Sequence, residues 1–256
     1  MNIDLSEKIV LITGVGGGIG NTFLHYLINK AKVMVSASRT SEKEVLHGLK
    51  KPESYTHYSL DLSEEKNVKA LIQDIYMEHG KLDLFINTIG GSLFSHRLEK
   101  FPISEFEQVL KINLISAFLL TKEVISLMKS NGGNIVHIVS SSAKNIASPK
   151  APYGIAKAAL AKLIQEAAVE LAEYDIKING ISPTYVFTPR HEEEIQKRVQ
   201  TNETTEKDLI RNIQDSQLLK KSMYPQDLIP TLELLINTKV ITGQIYNCTL
   251  GEVLSY

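Results

Sequence analysis

Short, mostly apolar runs alternate with longer amphipathic segments through most of the chain. The short runs are rich in β-branched residues, which predicts β-strands. These predicted strands are Lys8–Thr13, Lys32–Ala37, Tyr55–Leu60, Asp83–Asn87, Asn134–Val139, Lys177–Ser182 and Gln244–Cys248. Apolar residues at helical spacing predict helices in the segments between them. The predicted helices include Gly18–Lys30, Glu64–His79, Pro102–Ser130 and Pro152–Tyr174.

Apolar strands separated by helices are typical of a parallel sheet that is covered on both faces. Right-handed crossovers then lead to a doubly wound, Rossmann-like sheet. The chain shows no internal repeat or low-complexity linker, and 256 residues suit a single domain. The sequence therefore predicts one α/β domain over residues 1–256, with helices on both faces.

The segment 188–225 departs from this alternation. It is polar and dense in charge, with a helical composition but a weak apolar face. Because it follows the carboxyl end of a predicted strand, where such sheets bind ligands, one interpretation is a mobile substrate lid. A pair of solvated surface helices is the other.

Composition narrows the classes of partner. The formal net charge of −1 gives no electrostatic reason to expect nucleic acid or an acidic membrane. The single cysteine, Cys248, excludes disulfides within the chain and a cysteine metal cluster. The first residues lack the pattern of a signal peptide, and no apolar run approaches the ~20 residues that span a bilayer. We expect a cytoplasmic protein without a metal site.

A glycine-rich stretch links the first predicted strand to the first predicted helix. Glycine allows a tight turn and a close approach of the backbone to a pyrophosphate. The N–H groups and the dipole of the following helix would stabilise the negative charge. We interpret the stretch as a dinucleotide site, the alternative being a purely structural turn. The residues assigned to it are Gly14, Gly16, Gly17, Gly18, Ile19 and Gly20.

The end of the second predicted strand bears on the choice of cofactor. The residues there are Ser38, Arg39 and Thr40, with no carboxylate before Glu42. A carboxylate would accept hydrogen bonds from a free ribose and repel a 2′-phosphate, whereas a guanidinium pairs with that phosphate. We therefore expect NADP(H) in preference to NAD(H). The alternative is an exposed arginine that only solvates the strand end.

Tyr153 and Lys157 lie four residues apart, so that a helix would project both from one face. Tyrosine has an ordinary pKa near ~10, too high for a general base at neutral pH. We expect the ammonium, together with an oxidised nicotinamide ring, to lower the pKa of Tyr153. Tyr153 would then act as the general acid in carbonyl reduction and as the base in alcohol oxidation. The alternative is a half-buried tyrosine beside a solvated lysine.

These motifs resemble the short-chain dehydrogenase/reductase family over nearly the whole chain. The matching stretches are Thr13-Gly14-x-x-x-Gly18-x-Gly20, Asp61-Leu62, Asn87-Thr88-Ile89-Gly90, Asn113, Ser140 thirteen residues before Tyr153, Asn179 to Pro183, Thr188-Pro189 and Thr242-Gly243-Gln244. The resemblance implies a nicotinamide-dependent oxidoreductase that interconverts a ketone or aldehyde and an alcohol. Length and layout are most similar to 3-oxoacyl carrier-protein reductases.

The resemblance also implies roles for individual residues. Ser140 orients the substrate oxygen, Lys157 bonds the nicotinamide ribose, and Asn113 holds a water that links Lys157 to solvent. Cofactor contacts are implied for Asp61, Leu62, Asn87, Thr88, Ile89, Gly90, Pro183, Val186 and Thr188, in addition to Tyr153 and Lys157. Departures from the family pattern at Gly17, Thr88, Ile89, Thr184 and Thr249–Gly251 remove no catalytic group.

The family resemblance implies a homo-oligomer, with a tetramer expected and a dimer as the alternative. Apolar residues beyond the need of one sheet face, including Ile115, Phe118, Leu119 and Leu120, agree with this, the alternative being that all of them belong to the core. A catalytically silent cofactor sensor or scaffold on the same fold is the alternative to an enzyme.

Three histidines, at positions 96, 137 and 191, are candidates for a functional role. His137, within an apolar strand, is interpreted as structural, and His191 with Glu192–Glu194 as a solvated helix start rather than a metal site. His96 and Arg97 either line the substrate entrance or belong to a surface loop.

Overall fold

The computed structural model describes residues 4–146, 149–201 and 205–254, without the side chain of residue 201. Seven strands form one parallel sheet in the order β3-β2-β1-β4-β5-β6-β7. The strands are β1 (Leu5–Thr13), β2 (Ala31–Ser38), β3 (Tyr55–Ser59), β4 (Leu84–Asn87), β5 (Gly133–Ile138), β6 (Ile176–Pro183) and β7 (Ile245–Cys248). All seven predicted strands are confirmed, and so is the doubly wound α/β class.

The α-helices are α1 (Gly18–Leu27), α2 (Glu42–Leu46), α3 (Glu65–His79), α4 (Ile103–Leu110), α5 (Ser116–Met128), α6 (Ala151–Leu171), α7 (Pro189–Thr201), α8 (Glu206–Asp215) and α9 (Ile229–Asn237). The single helix predicted over Pro102–Ser130 is wrong in one respect: a π-helical turn over Lys111–Ile115 separates α4 from α5. The wider turn is stabilised by Ser116, whose Oγ donates to the Ile112 carbonyl at 2.7 Å. Hydrophobic spacing tolerates one extra residue in a turn, so the pattern did not reveal it.

Two apolar layers cover the sheet. Alternate positions of β1 supply Leu11 to one layer, and Val10 and Ile12 to the other. The first layer contains side chains of α3, α5 and α6, and the second contains side chains of α1 and α9. Successive side chains of a strand point to opposite faces of the sheet, so each face has its own apolar layer and its own set of helices.

The chain order reverses between β1 and β4, which are neighbours in the sheet. Such a reversal opens a crevice at the carboxyl ends of the two strands, where ligands bind in doubly wound sheets. Thr13 and Asn87 end the two strands in register, and the Thr13 hydroxyl donates to Asn87 Oδ1 at 2.9 Å. The loops that follow Thr13 and Asn87 therefore border this crevice.

The polar segment 188–225 forms α7 and α8, although residues 202–204 fall outside the described part. A parallel bridge between Val186 and Met223 joins the two ends of this segment at its base. None of the described helices is long and apolar enough to cross a membrane.

Candidate active site

The glycine turn after β1 leaves the start of α1 open. Gly14 has a φ of 84°, which favours glycine, and α1 begins at Gly18. Gly17, at the N-cap, supplies no side-chain hydrogen bond, and the first turn carries no acidic residue. The first N–H groups of α1 are therefore without a side-chain partner, and they fit the phosphates of a dinucleotide.

Two glycines of this turn lie against other predicted cofactor residues. A Cβ on Gly16 would collide with the Thr40 hydroxyl, and one on Gly18 would lie 2.6 Å from the Thr188 methyl group. The structure thus brings the glycine turn, the end of β2 and the segment after β6 together. Residues separated by as much as 170 positions share one site because parallel strands end at the same edge.

The charged groups near the end of β2 are distributed unevenly. Arg39 is exposed, whereas Glu42 forms an ion pair with Lys51 at 2.7 Å. Burial raises the pKa of Asp61, but hydrogen bonds from Ser63 and the charge of Arg39 bring it below the ordinary value. The Asp61 carboxylate is therefore held in its charged form by these groups, and the Arg39 guanidinium lies at the surface.

A buried hydrogen-bond network lies beneath the end of β4. Asn87 Nδ2 contacts His137 Nδ1 at 3.1 Å, and His137 Nε2 contacts the Thr121 hydroxyl at 3.0 Å. The Thr121 hydroxyl already donates to the Ala117 carbonyl at 2.7 Å, so it accepts from the imidazole. Burial lowers the pKa of His137 to about 3. His137 is therefore a neutral structural residue, in agreement with the interpretation from sequence.

The loop after β4 lies directly on a buried lysine. Lys157 is 2% exposed, and its Nζ donates to the Ile138 carbonyl at 2.8 Å. A Cβ on Gly90 would lie 2.9 Å from this Nζ and 2.7 Å from Asn113 Oδ1. Asn113, in the π-helical turn, exchanges two hydrogen bonds with Gly91 and donates to the Val109 carbonyl at 3.0 Å. Its side-chain amide is thus bonded to backbone, and the expected water-holding role of Asn113 stays a prediction.

Tyr153 lies one helical turn before Lys157 on α6, with the Lys157 Nζ 5.9 Å from the centre of its ring. Burial of the hydroxyl raises the pKa of Tyr153, while the Ser140 side chain and the charge of Arg190 lower it. Burial also lowers the pKa of Lys157 to about 7. The pKa of Tyr153 therefore lies above its ordinary value, because desolvation outweighs the neighbouring groups and disfavours the ammonium itself, and the lowering expected beside an oxidised nicotinamide stays a prediction.

Among the three consecutive serines, Ser140 is the one whose side chain acts on Tyr153. It ends the loop after β5 and accepts a hydrogen bond from the Ser142 N–H at 3.2 Å. The site therefore joins a serine hydroxyl, a phenol and a buried amine beside the glycine turn. That arrangement can hold a carbonyl oxygen and exchange a proton with it.

Comparison with known proteins identifies the family. The family model for short chain dehydrogenases matches residues 8–199. The chain belongs to the short-chain dehydrogenase family. It is accordingly an oxidoreductase of CH–OH and C=O groups, as relatives named dehydrogenases and reductases also indicate.

The similarity to individual members of the family is moderate. A 3beta-hydroxysteroid dehydrogenase from Mediterraneibacter gnavus is 28% identical over 254 residues, which cover 93% of this chain and 92% of that protein. A mitochondrial borneol dehydrogenase from Lavandula x intermedia is 30% identical over 188 residues, or 72% and 71% of the two chains. The solved structure of ElxO with NADP bound has a TM-score of 0.84 and 28% identity, and the match covers 96% of this chain and 98% of that one.

The other predicted cofactor residues of this dehydrogenase surround the same crevice. Thr88 Oγ1 donates to the Thr13 carbonyl at 2.8 Å, and the Ile89 N–H donates to Asn87 Oδ1 at 3.1 Å. The side chains of Ile19, Leu62, Pro183 and Val186 are buried or partly buried, three of them in the apolar layers. A cofactor would therefore meet these four residues mainly through their backbone.

His96 and His191, both predicted near the surface, lie in different surroundings. His96 lies 2.8 Å from Glu105 and Arg97 lies 2.8 Å from Glu99, which agrees with a surface loop. His191 is less solvated than expected, because its Nδ1 contacts Thr188 Oγ1 at 2.8 Å and its ring packs on Tyr185. No group of three or more potential metal ligands occurs in the described part of the dehydrogenase.

Arg190, in the first turn of α7, was not among the residues predicted for the site. Its Nη2 donates to the Ser92 carbonyl at 3.1 Å, and its charge acts on Tyr153. One signal was present in the sequence: a cation in the first turn of a helix opposes the helix dipole. The sequence also gave no sign that Glu252, near the C-terminus, accepts hydrogen bonds from Asn145 and Thr184 and so ties two loops of the site together.

Proposed function

We propose that this dehydrogenase interconverts a ketone or aldehyde and an alcohol with NADP(H) in preference to NAD(H). The observation that carries the proposal is the buried Lys157, which lies between Tyr153 and the loop at Gly90 at the edge of the glycine turn. A buried amine without a carboxylate partner costs stability, and such costs are typical of functional sites. 

In the proposed reaction, the cofactor supplies or accepts a hydride. Ser140 donates a hydrogen bond to the substrate oxygen and orients the carbonyl carbon. Tyr153 gives its phenolic proton to that oxygen during reduction and takes it back during oxidation. Lys157 has a pKa of about 7, so it can hold or release a proton near neutral pH, and positive charge beside Tyr153 favours the phenolate.

Support for NADP(H) comes from the end of β2. Arg39 is exposed there, Thr40 lies against Gly16, and Glu42 is paired with Lys51. A 2′-phosphate at this position would meet a guanidinium and hydroxyl groups rather than a free carboxylate. The remaining expected contacts, at Asp61, Leu62 and Asn87 to Gly90, fit the same placement of the cofactor.

We further propose that α7 and α8 form a substrate lid. Lys150 lies 3.7 Å from Glu194, and Arg190 bonds Ser92, so that α7 contacts two loops beside Tyr153. These contacts are polar and partly exposed, and breaking them to open the site would cost little. The similarity in layout to 3-oxoacyl carrier-protein reductases makes 3-oxoacyl thioesters one substrate class to assay.

A tetramer remains our proposal for the assembly. Ile115 and Phe118 are 45% and 47% exposed on α5 and the turn before it, and Ile155 is 50% exposed on α6. Leu120, by contrast, is fully buried in the core, and the expectation that it contributes to an interface is wrong. Light scattering would test the proposal, and a monodisperse monomer would contradict it.

The experiment for the function is the Tyr153→Phe variant, assayed against a panel of ketones and aldehydes with NADPH and NADH. Phenylalanine removes only the phenolic oxygen, so we expect turnover to disappear while the variant still binds NADPH. Undiminished turnover would refute the role of Tyr153. Binding of NADPH by the wild-type protein without hydride transfer to any carbonyl would instead favour a silent cofactor sensor.

A further inference from the structure

The side chain of Arg190 contacts the loop at Gly90 and Gly91, which also covers Lys157. A Cβ on Gly91 would lie 2.9 Å from Arg190 Nη1, just as a Cβ on Gly90 would lie 2.9 Å from Lys157 Nζ. Two consecutive glycines therefore separate the two cations. Because Lys157 is buried and Arg190 is largely exposed, the guanidinium marks the outer end of the site and the amine its inner end.

No carboxylate of the described residues forms an ion pair with Arg190, whereas two neighbouring cations are paired. Lys150 lies 3.7 Å from Glu194, and Arg97 lies 2.8 Å from Glu99. The hydrogen bond of Arg190 goes to the neutral carbonyl of Ser92. A guanidinium has five N–H donors in a planar fork, so most of its capacity for an oxyanion is unused by these contacts.

The local structure offers no reason of its own for an arginine here. Residue 190 is the second residue of α7, where the helix dipole disfavours a cation. His191 beside it is also basic, although its pKa is lowered by burial. Glu192, Glu193 and Glu194 follow on the same helix; Glu194 is the partner of Lys150, and among the described residues none of the three forms an ion pair with Arg190. The charge of the guanidinium is therefore not neutralised by an ion pair within the described part of the chain.

We propose that Arg190 binds an anionic group of the substrate and thereby makes the site specific for small oxo acids and hydroxy acids, with a carboxylate as the anion. The proposal rests on the oxidoreductase function proposed above and names its substrate class. The carbonyl carbon would face Tyr153 and Ser140, and the carboxylate would lie outward at the guanidinium fork. Arg190 contacts Gly91 and bonds the Ser92 carbonyl, while Gly90 of the same loop contacts Lys157, so the guanidinium and the inner amine flank one short loop.

The test compares carbonyl substrates that differ only in charge. Wild-type enzyme, Arg190→Gln and Arg190→Lys are assayed with 3-oxobutanoate and 4-oxopentanoate and with the methyl ester of each. Dihydroxyacetone phosphate and dihydroxyacetone form a further pair, in which a phosphate replaces the carboxylate. Lys66→Gln, which removes an exposed cation from α3, away from the proposed lid, is the control for loss of one surface charge.

We expect the wild-type enzyme to prefer the acids to their esters in kcat/KM. Arg190→Gln should lower kcat/KM for the acids by about 10- to 100-fold more than for the esters, as is typical for loss of a charge-assisted hydrogen bond. Arg190→Lys should restore part of the preference, since it keeps the charge without the fork. Lys66→Gln should behave as wild type.

Four outcomes would overturn the inference. Equal losses for acids and esters in Arg190→Gln would mean that Arg190 only positions the lid, and a weaker dissociation constant for NADPH would mean that it binds the cofactor. A wild-type preference for the esters would exclude an anionic substrate, and a preference confined to dihydroxyacetone phosphate would replace the carboxylate by a phosphate. Turnover of none of these carbonyls, or full turnover by Tyr153→Phe, would count against the proposed function itself.

Discussion

Asn113 bonds both backbone groups of Gly91: its Oδ1 accepts from the Gly91 N–H at 2.9 Å, and its Nδ2 donates to the Gly91 carbonyl at 3.1 Å. The neighbouring Gly90 lies directly on Lys157. The π-helical turn therefore fixes the height of the loop above the buried amine. Through that loop it also fixes the position of the guanidinium of Arg190, which bonds Ser92.

Replacing Asn113 by alanine should lower both stability and turnover. Three hydrogen bonds would be lost, at a cost of about 1–3 kcal/mol in the free energy of unfolding. Turnover should fall by more than the loss of folded protein accounts for, because the loop over Lys157 would no longer be held in place. Urea unfolding and kcat with NADPH measure the two effects.

Ser116→Ala is the control for this variant. It removes the hydrogen bond to the Ile112 carbonyl in the same turn without touching Gly91. It should cost stability and spare kcat. If Asn113→Ala also spares kcat, Asn113 has a structural role alone.

Adjacent glycines of the phosphate turn should respond differently to alanine. At Gly18 a Cβ would lie 2.6 Å from the Thr188 methyl group, whereas at Gly17 the nearest atom, the Gly14 carbonyl oxygen, is 3.5 Å away. Gly18→Ala should therefore lower the melting temperature, and Gly17→Ala should leave it nearly unchanged. The double variant Gly18→Ala/Thr188→Ser, which lacks the methyl group, should recover part of the loss in calorimetry. No recovery would show that the strain lies elsewhere.

The strand and helix pattern of the sequence was sufficient for the sheet, because burial on both faces leaves a short, nearly continuous apolar run at almost every strand. It was also sufficient to bring Tyr153, Lys157 and Ser140 together, since local spacing on α6 and a shared sheet edge determine their placement. The π-helical turn at Lys111–Ile115 was not predictable, because one inserted residue barely changes the apolar spacing.

The pKa of Tyr153 was the other property that could not be predicted from the sequence. Proximity of Lys157 to Tyr153 was predicted correctly, but its effect on the pKa of the phenol depends on how deeply both groups are buried. Burial depends on the loop at Gly90, whose path is set by Asn113, 23 positions later in the chain. Arg190 likewise reaches the site through a helix whose direction no local pattern encodes.

Arg39→Gln should shift the cofactor preference. If the guanidinium contacts the 2′-phosphate, the variant should bind NADPH about 10-fold more weakly while its affinity for NADH changes little, because only NADPH carries that phosphate. Dissociation constants from quenching of protein fluorescence or from calorimetry would show this. Lys43→Gln, on the short helix α2, is a suitable control for loss of one surface charge. Equal effects of Arg39→Gln on both cofactors would contradict a role in phosphate recognition.

The buried histidine should make stability depend on pH below neutrality. Burial lowers the pKa of His137 from 6.5 to about 3, so between these values the unfolded chain binds a proton that the folded protein does not. The free energy of unfolding therefore decreases as the pH falls from 6.5 towards 3, by up to about 1.4 kcal/mol per pH unit for one proton. The contribution is fully present above pH 6.5, where both states are neutral.

His137→Gln removes this proton from the balance. The variant should be less stable than wild type at pH 7, because it disturbs the contacts with Asn87 and Thr121. Its stability should nevertheless fall less steeply between pH 6.5 and 4 in urea unfolding, so that the two curves converge as the pH is lowered. The exposed His47, replaced by asparagine, which tolerates its left-handed backbone, controls for loss of a histidine. Parallel curves for His137→Gln and wild type would mean that the imidazole becomes charged without unfolding. The network from Thr13 to Thr121 would then have to open locally, since the ring has no room for a second donated proton while Asn87 Nδ2 faces it.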